Sequence, residues 1–180
     1  TGEGSTDPSA SRVEAVLKAM ASPSDKSGYA RTSVLMKLGA PSAYKAEEVE
    51  DALLIALDDP NFAVQHQGMM ALQKRATERS IRRLLKLFAD PDSKLQYMAA
   101  LTLQKTGVGV DGEVQLVNVL ATADKKRQKS IVDLLTTVGS PASLAALDEL
   151  ANSPTASSVQ YGAARAAARI RLRAGMPVSS

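Results

Sequence analysis

Few side chains in this 180-residue chain have the type and spacing that chemistry needs. His66 is the only histidine. A general base needs a hydrogen-bonding partner and a substrate pocket, and nothing local to His66 suggests either. Glu47, Glu48, Glu50 and Asp51 form an acidic cluster, and paired carboxylates bind metal or move protons. These four open a helix, however, where the macrodipole favours negative charge, and no second cluster shares their face. No catalytic residue, metal site or cofactor is therefore expected. The run Gly107-Val-Gly-Val-Asp-Gly112 has no preceding strand and reads as a linker between helices, not a phosphate cradle. Two basic groups are better placed. Arg79, Arg82, Arg83 and Lys86 follow Lys74 and Arg75, and Lys125, Lys126, Arg127 and Lys129 open another helix. Arg165, Arg169 and Arg173 add a third at i, i+4 and i+8, which puts them on one face. Side chains of this kind contact phosphates, or cover the polar end of a helical stack.

The elements that carry these groups recur. LKAMASPSDKSGYARTSVLMKLG begins at Leu17, LIALDDPNFAVQHQGMMALQKRA at Leu54 and LKLFADPDSKLQYMAALTLQKTG at Leu85. Val117 and Leu147 open two further copies, the last with a small insertion in its turn. One column fixes the register: Tyr29, His66, Tyr97, Lys129 and Tyr161, at spacings of 37, 31, 32 and 32. The column before it holds Gly28, Gln65, Gln96, Gln128 and Gln160. A fixed period of roughly 20–50 residues marks a solenoid.

Each copy reads as two helices. Ile81, Leu84, Leu85 and Phe88 make an apolar stripe at i, i+3, i+4 and i+7 on the first, and Leu95, Met98, Ala99, Thr102 and Leu103 continue on the second. The predicted pairs are 11–21 with 25–38, 45–58 with 61–76, 78–89 with 92–106, 111–122 with 124–138, and 141–152 with 155–173. Pro60, Pro91 and Pro154 break the chain between helices. Asp92 and Asp124 are placed to cap second helices. Gly39, Gly107 and Gly139 follow the last apolar positions, where glycine takes the left-handed conformation. Gly175 and Pro177 stop the last helix. The loop from Gly39 to Tyr44 is the longest break between repeats. No stretch alternates as a strand does.

An Asp-Pro turn, a short spacer and then Val-Gln-His-Gln-Gly-Met-Met-Ala-Leu (64–72) resembles the core of a HEAT repeat, in the short form found in bacterial and phycobilisome-lyase-like proteins. The resemblance covers residues 12–173. It implies an all-α, right-handed α-α superhelix of about five helical hairpins, first helices convex and second helices concave. In that family the second helix carries an arginine where this chain has Gln65, Gln96, Gln128 and Gln160. A ladder of glutamines between repeats is the expected substitute. The resemblance also places Tyr29, His66, Tyr97, Lys129 and Tyr161 near the concave edge. An aromatic body with a polar tip suits a binding surface there, or packing between repeats with the hydroxyl in solvent.

Composition bounds the remainder. Without cysteine there is no disulfide framework, thiolate metal site or cysteine nucleophile. No run of about 18 apolar residues exists to span a membrane. Residues 1–10 read as a flexible lead-in, 11–174 as one solenoid domain and 175–180 as a tail. The chain opens on Thr1, as a processed product or an excerpt of something longer would. Residues 1–60 carry 6 basic and 10 acidic side chains, and residues 61–180 carry 16 and 9. That asymmetry can steer a charged partner. The expected function is a non-catalytic protein-binding scaffold or adaptor, a module of a larger chain or complex. The partner would bind through Tyr29, His66, Tyr97, Lys129 and Tyr161. The alternative is nucleic-acid backbone binding through the basic groups. A third expectation, from the resemblance alone, is a lyase-like role on a tetrapyrrole-carrying partner, which pigment absorbance would report.

Overall fold

A computed structural model describes residues 14–16, 18–21, 26–40, 46–154 and 158–177. The expected lead-in, most of the 39–44 loop and the last three residues lie outside them. The described residues form helices joined by turns, with no strand among them. Helical residues at 14–16 and 18–20 stand in the place of the first hairpin's first helix. Then follow α1 (Tyr29–Gly39), α2 (Ala46–Leu57), α3 (Phe62–Arg75), α4 (Glu78–Ala89) and α5 (Gln96–Thr106). The chain continues with α6 (Gly109–Leu120), α7 (Lys125–Val138), a 3-10 turn at Pro141–Ser143, α8 (Leu144–Ala151) and α9 (Ser158–Arg173). The fold is the expected all-α solenoid class of HEAT-like hairpins.

Contacts divide the chain into two compact units, residues 1–106 and 107–180. In the first, α2 packs on α3 and α4 on α5 as hairpins, and the second helices α1, α3 and α5 lie side by side in that order. In the second, α6 pairs with α7 and α8 with α9, and α7 lies beside α9. The second helices of the first unit run parallel. Gly28 at the start of α1 faces Asn61 and Val64, while Gly39 at its end faces Ala71. Met69 and Gln73 of α3 likewise meet Thr102 and Lys105 of α5.

Each unit buries its own leucine-rich core. Leu35, Leu53, Met69, Leu72, Leu84 and Leu103 are fully enclosed in the first, and Leu120, Ile131, Leu134, Leu135 and Leu147 in the second. These are the positions of the apolar stripes, and no single hairpin can enclose them alone, which is why repeats stack.

Several boundaries differ from the sequence reading. Asp124 does cap α7, accepting from the Arg127 amide at 2.8 Å. Asp92 caps nothing: it lies in the turn and donates its own amide to Asp90 Oδ1. The helix starts later, at Gln96, because the Ser93 hydroxyl takes the Leu95 amide first. Of the three expected left-handed glycines only Gly107 is one, at φ +79°. Gly139 has φ −63°, and a Cβ there would stand 2.6 Å from the Leu135 carbonyl oxygen and 2.8 Å from Ile170. Gly39 is similarly a point of close approach: a Cβ would reach 2.9 Å from that of Ala71. Replacing Gly39 by valine is therefore expected to wedge α1 from α3 and cost about 1–3 kcal/mol, read as a lower urea midpoint of the full chain.

Buried carboxylates tie successive first helices together. Glu50 of α2 accepts from the hydroxyl of Thr77, the N-cap of α4. Two repeats on, Glu113 of α6 accepts from the Ser140 amide at 2.7 Å, the Ser140 hydroxyl at 3.0 Å and the Ser143 hydroxyl. Each side chain thus orients the start of the next first helix. Glu113→Ala would leave those donors without their acceptor in a buried place. A loss of about 2–3 kcal/mol is expected, measurable by urea unfolding, whereas Glu113→Gln, which keeps an acceptor oxygen, should lose about half as much.

Candidate functional site

The column that fixes the repeat register lies in solvent. Tyr29 of α1 is 79% exposed, Tyr97 of α5 73% and Tyr161 of α9 83%. His66 of α3 and Lys129 of α7 are exposed as well. The rings therefore do not pack between repeats. The first unit brings Tyr29, His66 and Tyr97 together on its three adjacent second helices. In the second unit, Lys129 and Tyr161 occupy the adjacent α7 and α9. Beside His66 is the half-exposed ring of Phe62, with centroids 6.4 Å apart and planes tilted by 42°. Among the described residues no carboxylate or hydroxyl orients the imidazole as a general base would require. Lys129 pairs with Asp133 one turn on, at 2.8 Å.

Gln96 and Gln128 bond within their own hairpins and not to each other. Gln96 Nε2 donates to the Phe88 carbonyl at 3.0 Å, and Gln128 Nε2 to the Leu120 carbonyl at 3.1 Å. Each reaches back eight residues and satisfies an orphan carbonyl at the end of its own hairpin's first helix. A buried inter-repeat ion pair does form, and it was not foreseen. Arg31 of α1 holds Asp59, in the α2–α3 turn, through Nε at 2.7 Å and Nη2 at 3.1 Å, with both side chains buried. Asp59 also accepts the Asn61 amide at 2.8 Å. The signal was present: Arg31 stands in a column otherwise made of Gly68, Ala99, Ile131 and Ala163, all buried.

The first basic group is largely neutralised. Arg79 pairs with Asp51 at 2.5 Å, Arg83 with Asp58 at 2.5 Å and Arg82 with Glu78 at 3.8 Å. Asp51 holds the Arg79 guanidinium still further above its ordinary pKa. Asp51, Asp58, Arg79, Arg82 and Arg83 line an open cleft of about 770 Å³ between α2 and α4, together with Leu54 and Ile55. Exposed ion pairs of this kind add little to stability, and their effect is to set these cations against neighbouring acids. Lys86, Lys125 and Lys126 are exposed, and Arg127 is half-buried. In the third group Arg165 and Arg169 face solvent. Arg173 turns back, donating to the carbonyls of Thr136 at 2.6 Å and Gly139 at 2.7 Å, which ties the end of α9 to the end of α7. The three arginines therefore do not act as one patch. Gly175, at φ +65°, and the Met176 amide on the Arg171 carbonyl close α9 in a Schellman turn.

Of the acidic cluster, Glu50 is a buried acceptor and Asp51 an exposed ion-pair partner. No group of three metal-ligating side chains gathers among the described residues. No helix among them is long and apolar enough to cross a membrane. The arrangement offers a surface of aromatic, apolar and basic side chains on second helices.

No curated protein matches the chain closely enough to be called similar. Residues 13–104 match the family model for HEAT repeats. Within that span the hairpins α2–α3 and α4–α5 and the parallel stacking of α1, α3 and α5 supply the architecture the match requires. The chain belongs to the HEAT-repeat family.

Proposed function

We propose that the chain is a non-catalytic protein-binding module, a scaffold or adaptor within a larger chain or complex, whose partner docks on the second-helix surface. HEAT repeats in general mediate protein–protein interactions. The observation that carries the reading to a surface is the exposure of Tyr29, Tyr97 and Tyr161 at one position of the repeat. A tyrosine left in water forfeits the burial its ring would gain, and such rings are the anchors that dominate protein interfaces. The repeat period runs on in the sequence from His66 through Tyr97 to Lys129 and Tyr161, which supports reading residues 11–174 as repeats of one kind, each unit carrying this surface on its own second helices. Lys129 and His66 occupy the same position and are read as polar members of the same contact.

The nucleic-acid alternative keeps Lys86, Lys125, Lys126, Arg165 and Arg169 but loses Arg79, Arg82 and Arg83 to Asp51, Glu78 and Asp58. The two readings separate in an affinity pull-down from native extract, run at low and high salt with nuclease treatment. A protein recovered after nuclease, and lost with the Tyr97→Ala variant, supports the docking surface. Recovery of nucleic acid alone, released by salt as backbone contacts are, overturns it.

A further inference from the structure

The second-helix surface of the first unit is sorted by chemistry into three rows. On each helix the members sit at i, i+4 and i+8, which share a face. The first row is Tyr29, His66 and Tyr97. The middle row is Ser33, Met70 and Leu101, and the third is Lys37, Lys74 and Lys105. All but the half-buried Ser33 are exposed. Met36 and Phe62, also exposed, extend the apolar band. Because α1, α3 and α5 are adjacent and parallel, the rows cross all three helices in the same order.

Charge is segregated to match. Neither aspartate nor glutamate occurs in α1, α3 or α5. This unit's described acids, Glu50, Asp51, Asp58, Asp59 and Glu78 among them, lie on first helices and in turns. Lys105 donates to Gln73 Oε1 at 2.9 Å, and Lys37 and Lys74 have no ion pair among the described residues. The surface thus has an aromatic edge, an apolar middle and a cationic edge, with no anion of its own.

The spacing selects the occupant. Packed helices lie about 8–10 Å apart, so the lysine row offers one charge at about that interval. A nucleic-acid strand carries a charge every ~3.4 Å, and most of its phosphates would go unmatched. An extended peptide alternates faces, and its same-face positions fall at steps of about 6.7 and 13.4 Å. An α-helix returns the same face after seven residues, about 10.5 Å. We propose that α1, α3 and α5 receive an amphipathic α-helix of a partner protein, laid across them. Its apolar stripe would cover the first two rows. Its carboxylates, seven residues apart, would meet Lys37, Lys74 and Lys105. This rests on the reading of the second-helix face as a docking surface and adds the chemical class of what docks.

The test uses the full chain and a fluorescein-labelled synthetic helix of about 20 residues, with a leucine stripe bordered by glutamates at seven-residue spacing. Fluorescence anisotropy should show micromolar binding. Lys37→Glu, Lys74→Glu and Lys105→Glu together should weaken it at least tenfold without changing the circular dichroism. A peptide with lysine in place of each glutamate should bind the triple variant and not the parent, an exchange that mere destabilisation cannot produce. Equal binding of both peptides to the parent, or unchanged binding of the acidic peptide to the triple variant, overturns the proposal. A single-stranded oligonucleotide that binds where neither peptide does overturns both the proposal and the docking reading. If neither peptide binds but the Tyr97-dependent capture of a protein persists, the acidic helix is wrong and the docking surface stands.

Discussion

Replacing Tyr29, Tyr97 and Tyr161 together by alanine is expected to lower partner affinity by a hundredfold or more while costing the fold no more than about 1.5 kcal/mol. Truncating an interface anchor costs about 2 kcal/mol or more, and each 1.4 kcal/mol is about tenfold in affinity. Two engaged rings suffice for the predicted loss. The folded chain gives up little, because these rings are 79%, 73% and 83% exposed and surface substitutions away from special features stay within about 0.5 kcal/mol. Titration calorimetry with the captured partner, beside thermal unfolding of parent and variant, reads both halves. A fall in stability matching the fall in binding would show that the rings hold the fold.

The largest effect on stability is expected from Asp59→Ala. Removing one partner of a buried ion pair costs about 3–5 kcal/mol. Here Arg31 loses two hydrogen bonds and the Asn61 amide loses its acceptor at the start of α3. The junction of the first two repeats rests on the same residues, since Asn61 Nδ2 also donates to the Ser27 carbonyl at 2.9 Å. The double variant Arg31→Leu with Asp59→Asn should recover most of the loss, as buried pairs replaced on both sides often do. Urea unfolding of the three chains decides it. A single-variant cost below about 1 kcal/mol would place the stability of this junction in leucine packing alone.

Architecture was legible in the sequence because the repeat period and the apolar stripes report the same thing: Leu84, Leu85 and Phe88 face inward as their spacing requires. The shared register of Tyr29, Tyr97 and Tyr161 was legible too, but not the choice between packing between repeats and facing solvent, which their exposure decides. The polar interior was not legible. Glu50 and Glu113 each open an apolar stripe at i, with leucines at i+3 and i+7, and a carboxylate in that place is a buried acceptor. Their donors, Thr77, Ser140 and Ser143, lie 27 to 30 residues away, beyond any local pattern. Gln96 and Gln128 misled for a related reason. A side chain in a family's ladder position was read as a ladder member, but glutamine is long enough to reach a carbonyl in its own hairpin. Basic groups misled through counting, because charge totals cannot show that Arg79 and Arg83 already face Asp51 and Asp58.

Docking of a protein on the second helices can be read by site-specific photo-crosslinking in native extract. A photoreactive side chain would be placed at Tyr97 on α5, and separately at Lys86 on α4. Nuclease-resistant protein adducts are expected from position 97 and none from position 86. Adducts from position 86 alone, or nucleic acid as the crosslinked species, would contradict it.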